Sequence, residues 1–89
     1  MIVITMDIES TGLLEDPDAR MVEIGAVRHN LDTGEIVGTF ESFCCPPAEL
    51  LGEAKFQLCQ TISGIQKEDI LSAPTYTRVV SDFVHWIGS

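Results

Sequence analysis

The sequence predicts an α/β fold: a three-stranded sheet with a central, buried first strand, an antiparallel hairpin, and helices after it. Three observations lead there. Ile2-Val3-Ile4-Thr5-Met6 is β-branched and almost continuously apolar, the pattern of a strand covered on both faces. Two further strand-like runs, Met21 to Asn30 and Glu35 to Cys45, flank Asp32-Thr33-Gly34, which has turn chemistry. Beyond Pro46-Pro47 the periodicity becomes helical.

The first strand runs into Asp7-Ile8-Glu9, and Ser10-Thr11-Gly12 then reads as a turn. Leu13 to Arg20 forms a surface loop stiffened by Pro17, the kind of segment free to carry function. The proline pair ends the hairpin, because proline offers no ladder donor and restricts the residue before it. Glu53 to Thr61 has helical composition, with Phe56, Cys59 and Gln60 on adjacent turns and Ser63-Gly64 as the stop. A brief connecting turn through Gln66 to Ile70 follows. Pro74 and Thr75 open a clearer helix whose apolar stripe is Tyr76, Val80, Phe83 and Ile87, broadened by Val79, Val84 and Trp86, and Gly88 marks its end.

With 45% hydrophobic and 21% charged residues, the 89-residue chain has the balance of one globular domain at most. A chain this short buries only about 60 to 65% of its unfolded surface, so its core is small unless a partner covers an open face. No apolar run approaches the roughly 20 residues of a membrane span, and Met1 to Met6 is too short for a signal peptide, so the expectation is a cytoplasmic protein without a membrane partner. Cys44, Cys45 and Cys59 match neither a disulfide framework nor zinc spacing, and neither His29 nor His85 has a partner at ligand spacing. The net charge of −9, with five Lys and Arg against fourteen Asp and Glu, excludes a broad phosphate-binding surface built from this chain alone. Carboxylates can still meet a polyanion where divalent cations lie between them.

Asp7 and Glu9 supply such carboxylates. Two apart on a strand, they point to one face while Ile8 points to the other, which suits a shared magnesium or manganese site. Met6-Asp7-Ile8-Glu9-Ser10-Thr11-Gly12-Leu13 resembles the first motif of the DEDDh 3′-to-5′ exonucleases, an apolar strand running into D-x-E-[ST]-T-G. Val22-Glu23-Ile24-Gly25-Ala26-Val27 is similar to that family's E-I-G-x-V segment, Ile62-Ser63-Gly64-Ile65 to its L-T-G-I segment, and Pro74 to Ile87 to its following amphipathic helix. Phe40 to Pro47 and Gln57 to Ile65 look most like the branch with histone-messenger and small-RNA exonucleases.

The resemblance implies a partial RNase H-like fold, with residues 1–89 as the amino-terminal part of a single exonuclease domain. It implies phosphodiester hydrolysis from the free 3′ end of single-stranded RNA or DNA, releasing nucleoside monophosphates with two Mg2+ or Mn2+ ions in the complete site. Asp7 would bridge the metals, Glu9 would serve one metal and the terminal 3′ hydroxyl, and Ser10, Thr11 and Gly12 would lie against the terminal nucleotide. Leu13 would be an apolar wedge, and Glu23 a supporting strand residue. The family's later acids and general-base histidine have no counterpart, since Asp82 and His85 fall in the wrong order and are expected to face solvent. The 89 residues alone are therefore expected to be inactive, with the remaining exonuclease segment or a partner chain completing them. The alternative is a non-catalytic interaction module derived from a partial nuclease fold, which would use an open sheet edge.

Overall fold

The computed structural model describes residues 1–12, 19–47 and 54–89. Strands β1 (Ile2–Ser10), β2 (Met21–Asn30) and β3 (Glu35–Phe43) precede helices α1 (Ala54–Ser63), α2 (Lys67–Leu71) and α3 (Tyr76–Ile87). The strands form one antiparallel sheet in the order β1-β2-β3. Gly34, with φ of 78°, makes the turn between β2 and β3, and its amide donates to the Asn30 carbonyl at 2.8 Å. A side chain is strained at that φ, which explains the glycine.

The expected α/β class, hairpin and following helices are all present, but the first strand is not central within this chain. β1 is the sheet edge, and Ile2, Met6 and Ile8 are 55, 53 and 43% exposed. Apolar residues on both faces record how a strand is built to be covered, and hydropathy cannot say whether these 89 residues supply the cover. β1 also runs past Met6 to carry Asp7 and Glu9 within the ladder.

The two sheet faces carry separate small cores. On one face α3 lays Val79 against Ile24 and Cys44, with Met21, Phe40 and Phe83 around them. Phe40, Phe83 and Trp86 form a ring cluster with centroids 5.4 to 6.0 Å apart. The Arg28 guanidinium stacks on Trp86 at 4.4 Å from the ring centroid and donates to its carbonyl. Tyr76, Val84 and Ile87, expected within the buried stripe, are instead exposed. The contact face runs through Val79, Phe83 and Trp86 because α3 packs toward β3 rather than centrally on the sheet.

The second core joins Val22, Cys59 and Ile70, flanked by Phe43 and Ile65. Where a turn through Gln66 to Ile70 was expected, Lys67–Leu71 is a short helix. Ile70 is only 1% exposed there, and its burial holds a turn of helix that five residues would not sustain alone. The Leu13 to Asp18 portion of the expected loop, Glu53, and the side chain of Phe56 lie outside the described residues.

Candidate metal-binding face and the exonuclease family

Alternation along β1 and β2 sorts the side chains by chemistry. Met6 and Ile8 line an apolar groove with Ile24 and α3, so the intervening Asp7 and the following Glu9 belong to the opposite face. Across the sheet Asp7 pairs with Gly25 and Gly25 with Glu41, while Glu9 pairs with Glu23 and Glu23 with Phe43. Directly paired residues share a face, so Asp7, Glu9, Glu23 and Glu41 stand together around Gly25.

A glycine inside a strand commonly marks close backbone approach. A Cβ built on Gly25 meets no atom within 4 Å, so the space beside Asp7 is open. The Asp7 and Glu41 backbones flank that gap at two inter-strand spacings, about 9.5 Å.

Just beyond Glu9 the register slips: Glu9 faces Glu23 but Ser10 faces Met21, leaving Val22 as the extra residue. Val22 is 1% exposed and plugs the core with Cys59 and Ile70, so the bulge is anchored from beneath. Beside it the Ser10 hydroxyl donates to the Gly12 carbonyl at 2.6 Å. The Thr11 amide donates to the Arg20 carbonyl, and the Arg20 amide to the Thr11 hydroxyl, both at 2.9 Å. The polar groups of Ser10 and Thr11 therefore hold the turn's shape first. Leu13 lies outside the described residues.

The electrostatics centre on Glu23. Partial burial pushes its carboxyl above the ordinary value of 4.5, and the carboxylates of Glu9, Glu41 and Asp7 add to the rise. Burial likewise pushes up the thiols of Cys44 and Cys59, and the Glu9 carboxylate contributes to the latter, placing α1 beside the acidic face. The three cysteines are free, and the two with raised thiols are poor nucleophiles. Asp82 pairs with Arg78 at 3.1 Å on the outer side of α3, and His85 is exposed, so neither joins the site.

Asp7 and Glu9 fit a hydrated magnesium or manganese ion by donor chemistry, as hard oxygens on one face beside open space. Among the described residues neither carboxylate makes a salt bridge or accepts a hydrogen bond. No group of three or more His, Cys, Asp or Glu among those residues is arranged to hold a metal. Sequence reasoning missed Glu41; the clue was its place on the hairpin opposite Gly25, visible only once the register is known.

A three-stranded antiparallel sheet followed by helices, with an acidic D-x-E strand end, defines the class as an RNase H-like exonuclease fold. The chain belongs to the Exonuclease family, whose model matches residues 4–89. This is the family expected from the motif. Among solved structures, the chain is similar to the nuclease domain of 3′hExo, a DEDDh family member bound to rAMP, with TM-score 0.80 and 22% identity. The match covers 98% of this chain and 44% of that one. It is also similar to a 3′-exonuclease recognising the 3′ end of histone mRNA stem-loop (TM-score 0.79, 21% identity, covering 98% and 39%). A third match is cell-death related nuclease 4, CRN-4 (TM-score 0.76, 20% identity, covering 97% and 29%). The chain thus spans less than half the length of these structures. No curated protein matches it. Among the described residues, no helix is long and apolar enough to cross a membrane.

Proposed function

We propose that this chain is part of a metal-dependent 3′-to-5′ exonuclease that removes nucleoside monophosphates from the 3′ end of single-stranded RNA or DNA. The observation that carries the reading is the pair Asp7 and Glu9, presented on one face beside the open space at Gly25 in a chain of the Exonuclease family. Bound divalent ions supply a water activated near neutral pH and positive charge opposite the phosphate.

The residues divide the remaining work. Asp7 and Glu9 would hold the ions, two in the complete site. Glu9 also accepts a hydrogen bond from the terminal 3′ hydroxyl, which selects an end over an internal bond. The clasped turn at Ser10, Thr11 and Gly12 sets the distance of the terminal nucleotide, and Leu13 packs beside its base. Glu23 and Glu41 surround the ligands with negative charge that favours cation capture. Two further acids and the general base come from the remaining exonuclease segment, so residues 1–89 alone do not turn over substrate. An RNA preference draws support from the likeness to the histone-message exonuclease. A cytoplasmic location accords with three free cysteines.

The test is nuclease assay of the complete protein on single-stranded RNA and DNA, with 3′ ends free or blocked, in magnesium and with chelator. Asp7→Asn, with an unchanged circular dichroism spectrum, is expected to abolish release of mononucleotides. Undiminished release removes the assigned metal role, and turnover by residues 1–89 alone shows that the catalytic groups lie elsewhere.

A further inference from the structure

We propose that Val22 is a positioning residue for the nuclease reaction: as the extra residue of the β2 bulge, it fixes the direction in which the end of β1 presents Glu9. The inference rests on the nuclease reading above and adds a residue that touches neither ion nor substrate.

Strand alternation alone sends Val22 to the α3 side. Ile24 and Met21 both belong to the core beneath α3, whereas Glu23 pairs with Glu9 on the acidic face. Counting back two from Ile24 gives Val22, yet Val22 lies with Cys59 and Ile70 on the other face. The bulge therefore turns two consecutive side chains, Val22 and Glu23, to the acidic side and lets Met21 return to the α3 side. Without the extra residue Met21 and Glu23 would alternate regularly, and would pair with Ser10 and Glu9 as they do now. No other side chain needs the bulge in order to face correctly. What the bulge adds is a buried plug under the strand end that carries Glu9.

The plug is gripped by four parts of the chain. Val22 is 1% exposed and clusters with Cys59 of α1, Ile70 of α2, Phe43 of β3 and Ile65 between the helices. Its carbonyl accepts a hydrogen bond from the Cys44 amide at 2.8 Å, which ties the bulge to the end of β3. Burial raises the Cys59 thiol and the Glu9 carboxylate adds to the rise, so this cluster lies beside Glu9. Glu9 has no such fixings of its own. Among the described residues its carboxylate makes no salt bridge and accepts no hydrogen bond, and its cross-strand neighbour is another acid, Glu23. The direction of Glu9 is thus set by the backbone that carries it, and a bulge locked into a packed cluster leaves that backbone little freedom.

The experiment uses the complete protein and two readouts. One is the ratio of kcat/KM on single strands with a 3′ hydroxyl to that on 3′-deoxy ends, which reports the Glu9 contact with the terminal hydroxyl. The other is Mn2+ affinity by electron paramagnetic resonance, read without substrate. Val22→Ala empties the plug and Val22→Ile overfills it, so each moves the bulge; isoleucine suits a buried strand and keeps the fold if alanine does not. Val79→Ala is the matched control, a valine also 1% exposed but beneath α3 on the opposite face. Both Val22 variants are expected to lower the ratio and weaken Mn2+ binding about tenfold or more, as changes behind metal ligands do. Val79→Ala is expected to lower Tm and leave both readouts unchanged. Unchanged readouts in the folded Val22 variants, the same losses in Val79→Ala, or a wild-type protein that binds no Mn2+ each overturns the proposal. Mn2+ affinity that depends on Val22 in a protein that releases no nucleotides upholds the positioning role and counts against the nuclease reading.

Discussion

Substituting Gly25 by alanine separates two physical accounts of the acidic face. If the glycine is there for close packing, a methyl group has to displace a neighbour and the protein loses stability. The structure gives the opposite sign. No atom lies within 4 Å of the new Cβ, and Gly25 is not among the glycines with positive φ, so the methyl meets neither clash nor backbone strain. What remains is the narrower unfolded ensemble of alanine, worth about 0.4 to 1 kcal/mol. At about 2.1 cal/mol/K per residue, an 89-residue chain has an unfolding entropy near 0.19 kcal/mol/K, so Tm is expected to rise by roughly 2 to 5 °C. The methyl also enters the space beside Asp7, so kcat/KM of the complete protein is expected to fall about tenfold or more, as misplacement at a catalytic site does. Thermal denaturation of residues 1–89 and steady-state hydrolysis by the complete protein measure the two effects. A drop in stability of more than about 1 kcal/mol refutes the open-space argument, and unchanged hydrolysis refutes the placement of substrate there.

Two further substitutions probe what supports this face. Ile70→Ala removes the buried anchor beneath the Val22 bulge and is expected to cost about 2 to 5 kcal/mol by chemical denaturation, with α2 lost from the circular dichroism spectrum; a cost under 1 kcal/mol would show that Ile70 does not hold α2 in place. Glu23→Gln tests the electrostatics through pH. The folded pKa of Glu23 is raised, so the wild-type protein is relatively most stable below the ordinary value of 4.5 and loses that advantage as pH rises through the folded value. Glutamine is therefore expected to stabilise the protein at pH 7 and not at pH 4, and an equal gain at both values would place its origin outside the charge cluster.

The parts of the fold legible in the sequence are those where local chemistry has a single answer. Gly34 fixed the hairpin turn, Asp7 and Glu9 declared a common face by spacing, and Thr75 with Gly88 bracketed α3. Position was harder to read. The apolar run of β1 fits a covered strand equally well whether its cover comes from this chain or from elsewhere, so its edge location escaped the pattern. The α3 stripe identified the helix but not its rotation, because Tyr76, Val84 and Ile87 are as apolar as the residues that meet the sheet. Glu41 joined the acidic face through register alone, since it lies 34 residues from Asp7 in sequence and only two strands away in space. Gly25 by itself could not distinguish the two cases, because an absent side chain signals close approach and open space alike.

The central claim is that the end of β1 presents a divalent cation site, and Mn2+ binding followed by electron paramagnetic resonance tests it most directly. Titration of residues 1–89 is expected to show weak binding of a hydrated ion, lost in Asp7→Asn and in Glu9→Gln while the circular dichroism spectra stay unchanged. Equal Mn2+ binding by the wild-type chain and both variants would contradict the account.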